Sequence, residues 1–194
     1  LLGRTVQGWA VRKDGSEFAD EISAGPWQTR QGLYYVAIIR DITQRLAAEQ
    51  ALRESEQRFK ELADALPQTV FEINRDGMIT FVNRTALETF GYTLTDIDKG
   101  MHALHIIAPE QRLKVRDDIE KIFAGQSLGG QEYLALRKDG ATFPCIIDAS
   151  SILVNGMSVG LRGLLIDITL RKELEEQTNK SKRLSSISAL AGGV

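Results

Sequence analysis

A single cysteine, Cys145, and two histidines, His102 and His105, are all the chain offers of the residues most used for disulfides and transition metals. One thiol excludes an internal disulfide and fits a reducing compartment. His102 and His105 stand three apart, a spacing two ligands on a helix can use, but a metal site needs three or four ligands. No Cys, His or acidic cluster joins them, so both read as loop histidines and no metal is expected. Excess charge is also missing: 24 Lys+Arg against 26 Asp+Glu leave a net charge of −2, without the basic footprint that DNA or RNA requires. No apolar run approaches the roughly 20 residues that span a bilayer, and the best, residues 33–39, is strand-length. No Gly-rich phosphate loop follows a strand, and Gly192-Gly193 alone is no nucleotide motif, so no catalytic residue is assigned. No secretory signal opens the chain. These residues are therefore expected to be cytoplasmic, with a membrane anchor elsewhere in a longer parent still compatible.

What is present is ordinary globular material, 43% hydrophobic and 26% charged over 194 residues, with room for one full domain and extra. The chain is organised around residues 164–172, where an apolar run turns into a charged helix. Leu164–Ile166 reads as a buried strand. Asp167 is placed to cap the helix that follows, and it stands four residues before Arg171, a spacing that lets the two charges meet on one helix face. The same Asp-Ile-Thr recurs at residues 41–43, with Asp41 four residues before Arg45. A strand that feeds directly into a long polar helix is the form of an output joint.

The duplication extends further. Arg12-Lys13-Asp14-Gly15 returns as Arg137-Lys138-Asp139-Gly140, and Phe18 and Ile22 return as Phe143 and Ile147, all displaced by 125 positions. The Asp-Ile-Thr motifs are displaced by 126, so the later copy gained one loop residue. A period this long means two copies of a whole domain, not a solenoid. Residues 1–41 supply only three predicted strands (5–12, 17–25 and 32–40), which bury too little to stand alone. The chain is thus expected to begin inside a domain. Residues 42–66 contain no glycine and predict a long linker helix. Leu52, Ser55, Phe59, Leu62 and Leu66 alternate spacings of three and four, a coiled-coil seam. The earlier part is expected to pair with a partner helix, and Phe59 and Leu62 to cover their own domain.

The second copy follows over residues 67–169, with residues 170–194 as an outgoing helix. Strands are predicted at 69–74 and 78–82 around Asp76-Gly77, then a helix at 84–90 with Asn83 as cap and Gly91 as stop. Thr93 and Asp96 resemble a capping box, and Pro109 suits the start of a helix over 110–123 with Val115, Ile119 and Ile122 inward. Three antiparallel strands close the domain at 131–137, 142–151 and 158–166. Two strands, several helices and three strands make an α+β order with helices over one sheet face.

Asn83, Phe90-Gly91-Tyr92, Arg137-Lys138-Asp139-Gly140, Phe143-Pro144 and Asp167-Ile168-Thr169 together resemble a PAS domain, in particular the PAS modules of bacterial sensor histidine kinases. The resemblance covers nearly the whole chain: the C-terminal half of one PAS domain, a linker helix, a complete PAS domain and an outgoing helix. It implies a five-stranded antiparallel sheet of order 2-1-5-4-3 and a pocket between sheet and helices, here flanked by the coiled-coil linker helices that the spacing predicts. Residues 184–194 resemble the opening of the dimerisation and phosphoacceptor helix of histidine kinases. Haem-binding PAS domains use a histidine on the long helix, and residues 110–123 have none. Flavin-binding relatives form an adduct through an Asn-Cys-Arg motif, whereas Cys145 lies in Phe-Pro-Cys-Ile-Ile and faces inward as a small apolar group. The cofactor is therefore left unknown.

Candidate pocket residues are Phe71, Ile73, Phe81, Phe90, Ile119, Ile122, Leu134, Leu136, Cys145, Ile147 and Leu165. They would admit a small apolar ligand, or else fill the core completely and leave a relay and dimerisation module. Asp41, Thr43, Arg45, Asp167, Thr169 and Arg171 are the candidate signal-transfer residues. The expected function is a non-catalytic sensory and relay segment acting on a kinase core in cis. Expected partners are a second copy, in parallel through the linker helices, and a response regulator for the whole parent. The rival parents are a transcription activator or a cyclic-dinucleotide enzyme. A segment that itself transfers phosphate is disfavoured by the absence of a nucleotide motif.

Overall fold

In the computed structural model, which describes residues 5–191 and the side chains of residues 5–182, the turn signals fall where tight turns form. Asn155 and Gly156 both adopt positive φ (51° and 78°), the requirement of a two-residue hairpin whose twist matches its strands. Asn83 accepts from the Ala86 amide at 3.0 Å to start one helix, and Gly91 ends it in the left-handed region. Thr93 and Asp96 form a reciprocal capping box.

The chain divides into two compact units, residues 1–59 and 60–194. In the first, β1 (Thr5–Val11), β2 (Glu17–Thr29) and β3 (Gly32–Asp41) form an antiparallel sheet of order β1-β2-β3. β2 and β3 run further than the sequence suggests, β2 continuing through Pro26 to Thr29, while β1 ends one residue early at Val11. Many of its apolar side chains are open: Trp9 is 74% exposed, Tyr35 66% and Ile38 64%. Ala19 and Asp20 of β2 are buried, and neither carboxylate oxygen of Asp20 is hydrogen-bonded among the described residues.

Helix α1 (Thr43–Ala65) leads into the second unit. There β4 (Thr69–Asn74) and β5 (Ile79–Val82) precede α2 (Arg84–Phe90), α3 (Leu94–Asp98) and α4 (Arg112–Phe123). Strands β6 (Gln131–Leu136), β7 (Thr142–Val154) and β8 (Met157–Asp167) follow, and α5 (Thr169–Ala191) leaves the domain. Pro109 opens a 3-10 turn rather than the α-helix itself, which begins at Arg112. The sheet order is β5-β4-β8-β7-β6, the 2-1-5-4-3 arrangement of a PAS fold. Two apolar clusters lie between sheet and helices, one around Phe90, Tyr133, Phe143 and Cys145, the other around Ile73, Ile122 and Leu161.

Two burial expectations need correction. Of Leu164–Ile166 only Leu165 is buried; Leu164 and Ile166 are 40% and 44% exposed, because successive side chains of β8 point to opposite sheet faces. On α1, Leu62 does not cover its domain but is 65% exposed, and the buried residue is Ala63. The small Ala63 brings backbone close: its carbonyl, with that of Gln68, accepts from the Asn83 side-chain Nδ2 at 2.8 and 2.9 Å. Leu52 is 60% exposed, and Leu174 on α5 is 54% exposed. The kinase-like stretch 184–194 lies outside the described side chains.

Candidate functional site

The inner face of the five-stranded sheet and helices α2 to α4 enclose a cavity of about 80 Å³. Seven of the expected residues line it: Phe71, Ile73, Phe90, Ile119, Ile122, Ile147 and Leu165. Four do not. Phe81 is turned away by a β-bulge: Ile73 pairs with Ile79, but Glu72 pairs with Phe81, so Thr80 is the extra residue and Phe81 lands on Glu72's face. Leu134 and Leu136 belong to the outer face of β6, since the strand turns Tyr133 and Ala135 inward and buries both. Cys145 is fully buried beside Tyr133, within the packed cluster rather than on the cavity wall. Burial pushes its thiol up to about 12, so it is neutral and inert.

Sequence reasoning passed over the polar corner of the cavity. Asp118 is 8% exposed; its Oδ1 accepts from Lys121 Nζ at 2.7 Å and its Oδ2 from the Tyr133 hydroxyl at 2.9 Å. Burial disfavours its charge, but those two donors outweigh burial and hold the carboxyl below its ordinary value. The signal was present, because Asp118 falls within the stripe Val115, Ile119, Ile122, where a charge is out of place. Burial, and then the bond to Asp118, push the Tyr133 hydroxyl above its ordinary value.

The two Asp-Ile-Thr junctions are built alike. Thr169 donates to Asp167 Oδ1 through its amide at 2.8 Å and its hydroxyl at 2.6 Å, and the Thr43 amide donates to Asp41 at 3.0 Å. Ile168 donates to the Pro144 carbonyl and Ile42 to that of Ala19, registering each helix start against its own sheet. The expected aspartate–arginine pairs along the helix do not form. Arg171 instead pairs with Glu175 at 2.8 Å, and Arg45 with Glu21 and Glu49 at 3.7 and 3.8 Å. Each aspartate is taken by the arginine of the preceding Arg-Lys-Asp-Gly turn. Arg137 reaches Asp167 at 3.4 Å, and Arg12 pairs with Asp41. Arg12 and the Thr43 amide lower the Asp41 carboxyl to about 2. The arginines also stack on Phe143 and Phe18, 4.2 and 4.3 Å from the ring centroids. A folded sheet places a rigid fork over the aspartate, whereas Arg171 is free to find Glu175 one turn on.

In the second unit the same turn grips the helices. Arg137 donates to the Thr89 carbonyl at the end of α2, and the Lys138 amide donates to that of Phe90 at 2.9 Å. Lys138 Nζ pairs with Asp96 of α3 at 2.7 Å, and Lys172 on α5 pairs with Glu132 on β6, also at 2.7 Å. One residue, Arg137, thus touches both the helix that carries Phe90 to the cavity and the aspartate that starts α5.

Residues 67–170 match the family model described as PAS domain. The chain belongs to the PAS domain family. The crystal structure of the PAS domain of a protein from Colwellia psychrerythraea superposes with a TM-score of 0.53 at 21% identity, covering 59% of this chain and 96% of that one. A sensory box histidine kinase/response regulator structure from Burkholderia thailandensis gives a TM-score of 0.50 at 15% identity, over 66% of this chain and 98% of that one. The uncharacterized protein y4lL of Sinorhizobium fredii is 28% identical over 147 residues, 75% of this chain and 18% of that protein. The chain therefore spans less than a fifth of that curated relative's length. In this PAS domain the cavity occupies the space between sheet and helices, and the Asp-Ile-Thr junction closes the matched region.

Proposed function

We propose that these residues are a non-catalytic sensory and relay segment of a cytoplasmic bacterial sensor histidine kinase, in which half of one PAS domain precedes a complete one. The observation that carries the reading is Arg137, whose guanidinium meets Thr89 at the end of the cavity helix and Asp167 at the start of α5. A change in what fills the cavity shifts α2, Arg137 follows, and the junction at Asp167 takes a different angle or register. The repeated Arg12–Asp41 pair supports a second junction of the same kind at the head of α1. The likeness to a sensory box histidine kinase structure supports the choice of parent. Among the described residues no helix is long and apolar enough to cross a membrane. Exposed Leu52 and Leu62 on α1 and Leu174 on α5 support parallel pairing of two copies through these helices.

Sedimentation of the chain against a Leu52→Lys, Leu62→Lys variant tests the pairing. Weakened association is expected, and an unchanged dimer contradicts the seam as its basis. The residues that follow Val194 test the parent: a histidine followed by an acidic residue within a few positions is expected, and its absence contradicts the kinase assignment.

A further inference from the structure

The cavity is apolar on nearly every side and acidic on one. Phe71, Ile73, Ile119 and Leu165 form walls that offer no hydrogen bond, while Asp118 on α4 and its partner Tyr133 line the same space. Each oxygen of the Asp118 carboxylate accepts one hydrogen bond, Oδ1 from Lys121 and Oδ2 from Tyr133. A carboxylate oxygen has two acceptor sites, so one on each oxygen is left for a guest. The neighbours fix the group where it stands: the Tyr133 hydroxyl belongs to a strand residue that is itself 7% exposed, and Lys121 is three residues on along the same helix. Although its charge is paired with Lys121, the carboxylate offers only acceptors, so an anionic guest finds no donor on it and meets a like charge. It favours a hydrogen-bond donor, whose bond to a charged acceptor is stronger than one between neutral groups.

Size sets the other limit. Benzene and xenon enter an apolar cavity of about 150 Å³. At about 80 Å³ this cavity, undeformed, takes something smaller than benzene. Resting on the reading of the cavity as the sensory site, we propose that it takes a small molecule with a short apolar tail and a hydrogen-bond donor head, an alcohol or a primary ammonium. The head sits on Asp118 and the tail among Phe71, Ile119 and Ile122, and small carboxylates are excluded.

The test uses methyl-labelled isoleucines in the 194-residue chain, with Ile73, Ile119 and Ile122 as reporters, and four probes: xenon, 1-propanol, propylammonium and propionate. Xenon is expected to shift the reporters, which reads the cavity without regard to polar chemistry. 1-Propanol and propylammonium are expected to bind at least tenfold more tightly than propionate, and comparison of the two tells a hydroxyl head from a charged one. Asp118→Asn is expected to remove most of the propylammonium preference and leave xenon unchanged. If that variant does not fold, Lys121→Met serves: it leaves the carboxylate uncompensated and is expected to raise the preference for propylammonium over propionate several-fold. Xenon entry with propionate binding as well as propanol overturns the donor-head assignment alone. A preference indifferent to both substitutions also overturns it. Failure of even xenon to shift the reporters overturns the cavity as a sensory site, and the ligand class with it.

Discussion

Arg137→Ala removes three contacts at once, and their sizes can be worked from the geometry. The pair with Asp167 spans 3.4 Å between side chains that are 31% and 38% exposed, so solvent screening leaves it about 0.5 kcal/mol. Stacking on Phe143 at 4.2 Å adds about 0.5–1 kcal/mol. The bond to the Thr89 carbonyl adds about 1 kcal/mol. The sum is about 2 kcal/mol, which for a domain of this size lowers the melting temperature by roughly 5–10 °C. Arg137→Lys keeps the charge but loses the planar fork and much of the stacking, so it is expected to recover less than half of the loss. Thermal unfolding of the two variants, of Asp167→Ala and of the Arg137→Ala, Asp167→Ala double variant provides a cycle. A coupling of a few tenths to about 1 kcal/mol between the two positions is expected. Strict additivity, together with an Arg137→Ala loss below about 0.5 kcal/mol, would refute the claim that this arginine joins cavity helix and junction.

Three further outcomes are expected. Cys145, buried and held as a neutral thiol near 12, should react with thiol reagents in the native chain far more slowly than in the unfolded one, and equal rates would contradict its inward placement. A Cβ at Gly163 would lie 2.7 Å from both the Asp148 carbonyl oxygen and the Phe71 ring, so Gly163→Ala should cost on the order of 1–3 kcal/mol of stability in denaturant melts. Asp41 titrates about 2 in the folded chain against an ordinary 3.8; folding thus favours its charged form, and its contribution is full above about 4 and lost as pH falls through about 2. Carboxyl NMR should show that low value in the native chain and its return toward 3.8 in Arg12→Gln.

Where the structure follows the sequence, the reason is local. Asn83, Gly91 and the Thr93–Asp96 box act within one turn, so residue type and spacing are enough to place them. The sheet order followed from the family resemblance and the alternation of strands and turns, not from any single residue. The misses are tertiary. A one-residue bulge beside Ile73 turns Phe81 to the other face, and nothing in the run Ile79–Val82 announces it. On β6 Leu134 and Leu136 are the more apolar pair, yet Tyr133 takes the inner face, because a phenol with a buried carboxylate to meet is stable inside. Helix spacing suggested Asp167 with Arg171, while the winning partner came from a turn 30 positions earlier. The internal repeat held that answer, since Arg12 with Asp41 and Arg137 with Asp167 recur together.

The central claim is that Asp167 transmits the state of the PAS domain and does more than start a helix. Asp167→Ala in the proposed histidine kinase parent tests it most directly, with melting temperature and autophosphorylation measured on the same preparation. Loss of the cap and of a partly exposed ion pair costs about 1–2 kcal/mol, too little to unfold the domain. The account predicts a folded protein whose basal or signal-dependent autophosphorylation, per folded molecule, is altered. A lowered melting temperature with unchanged output per folded molecule would contradict it.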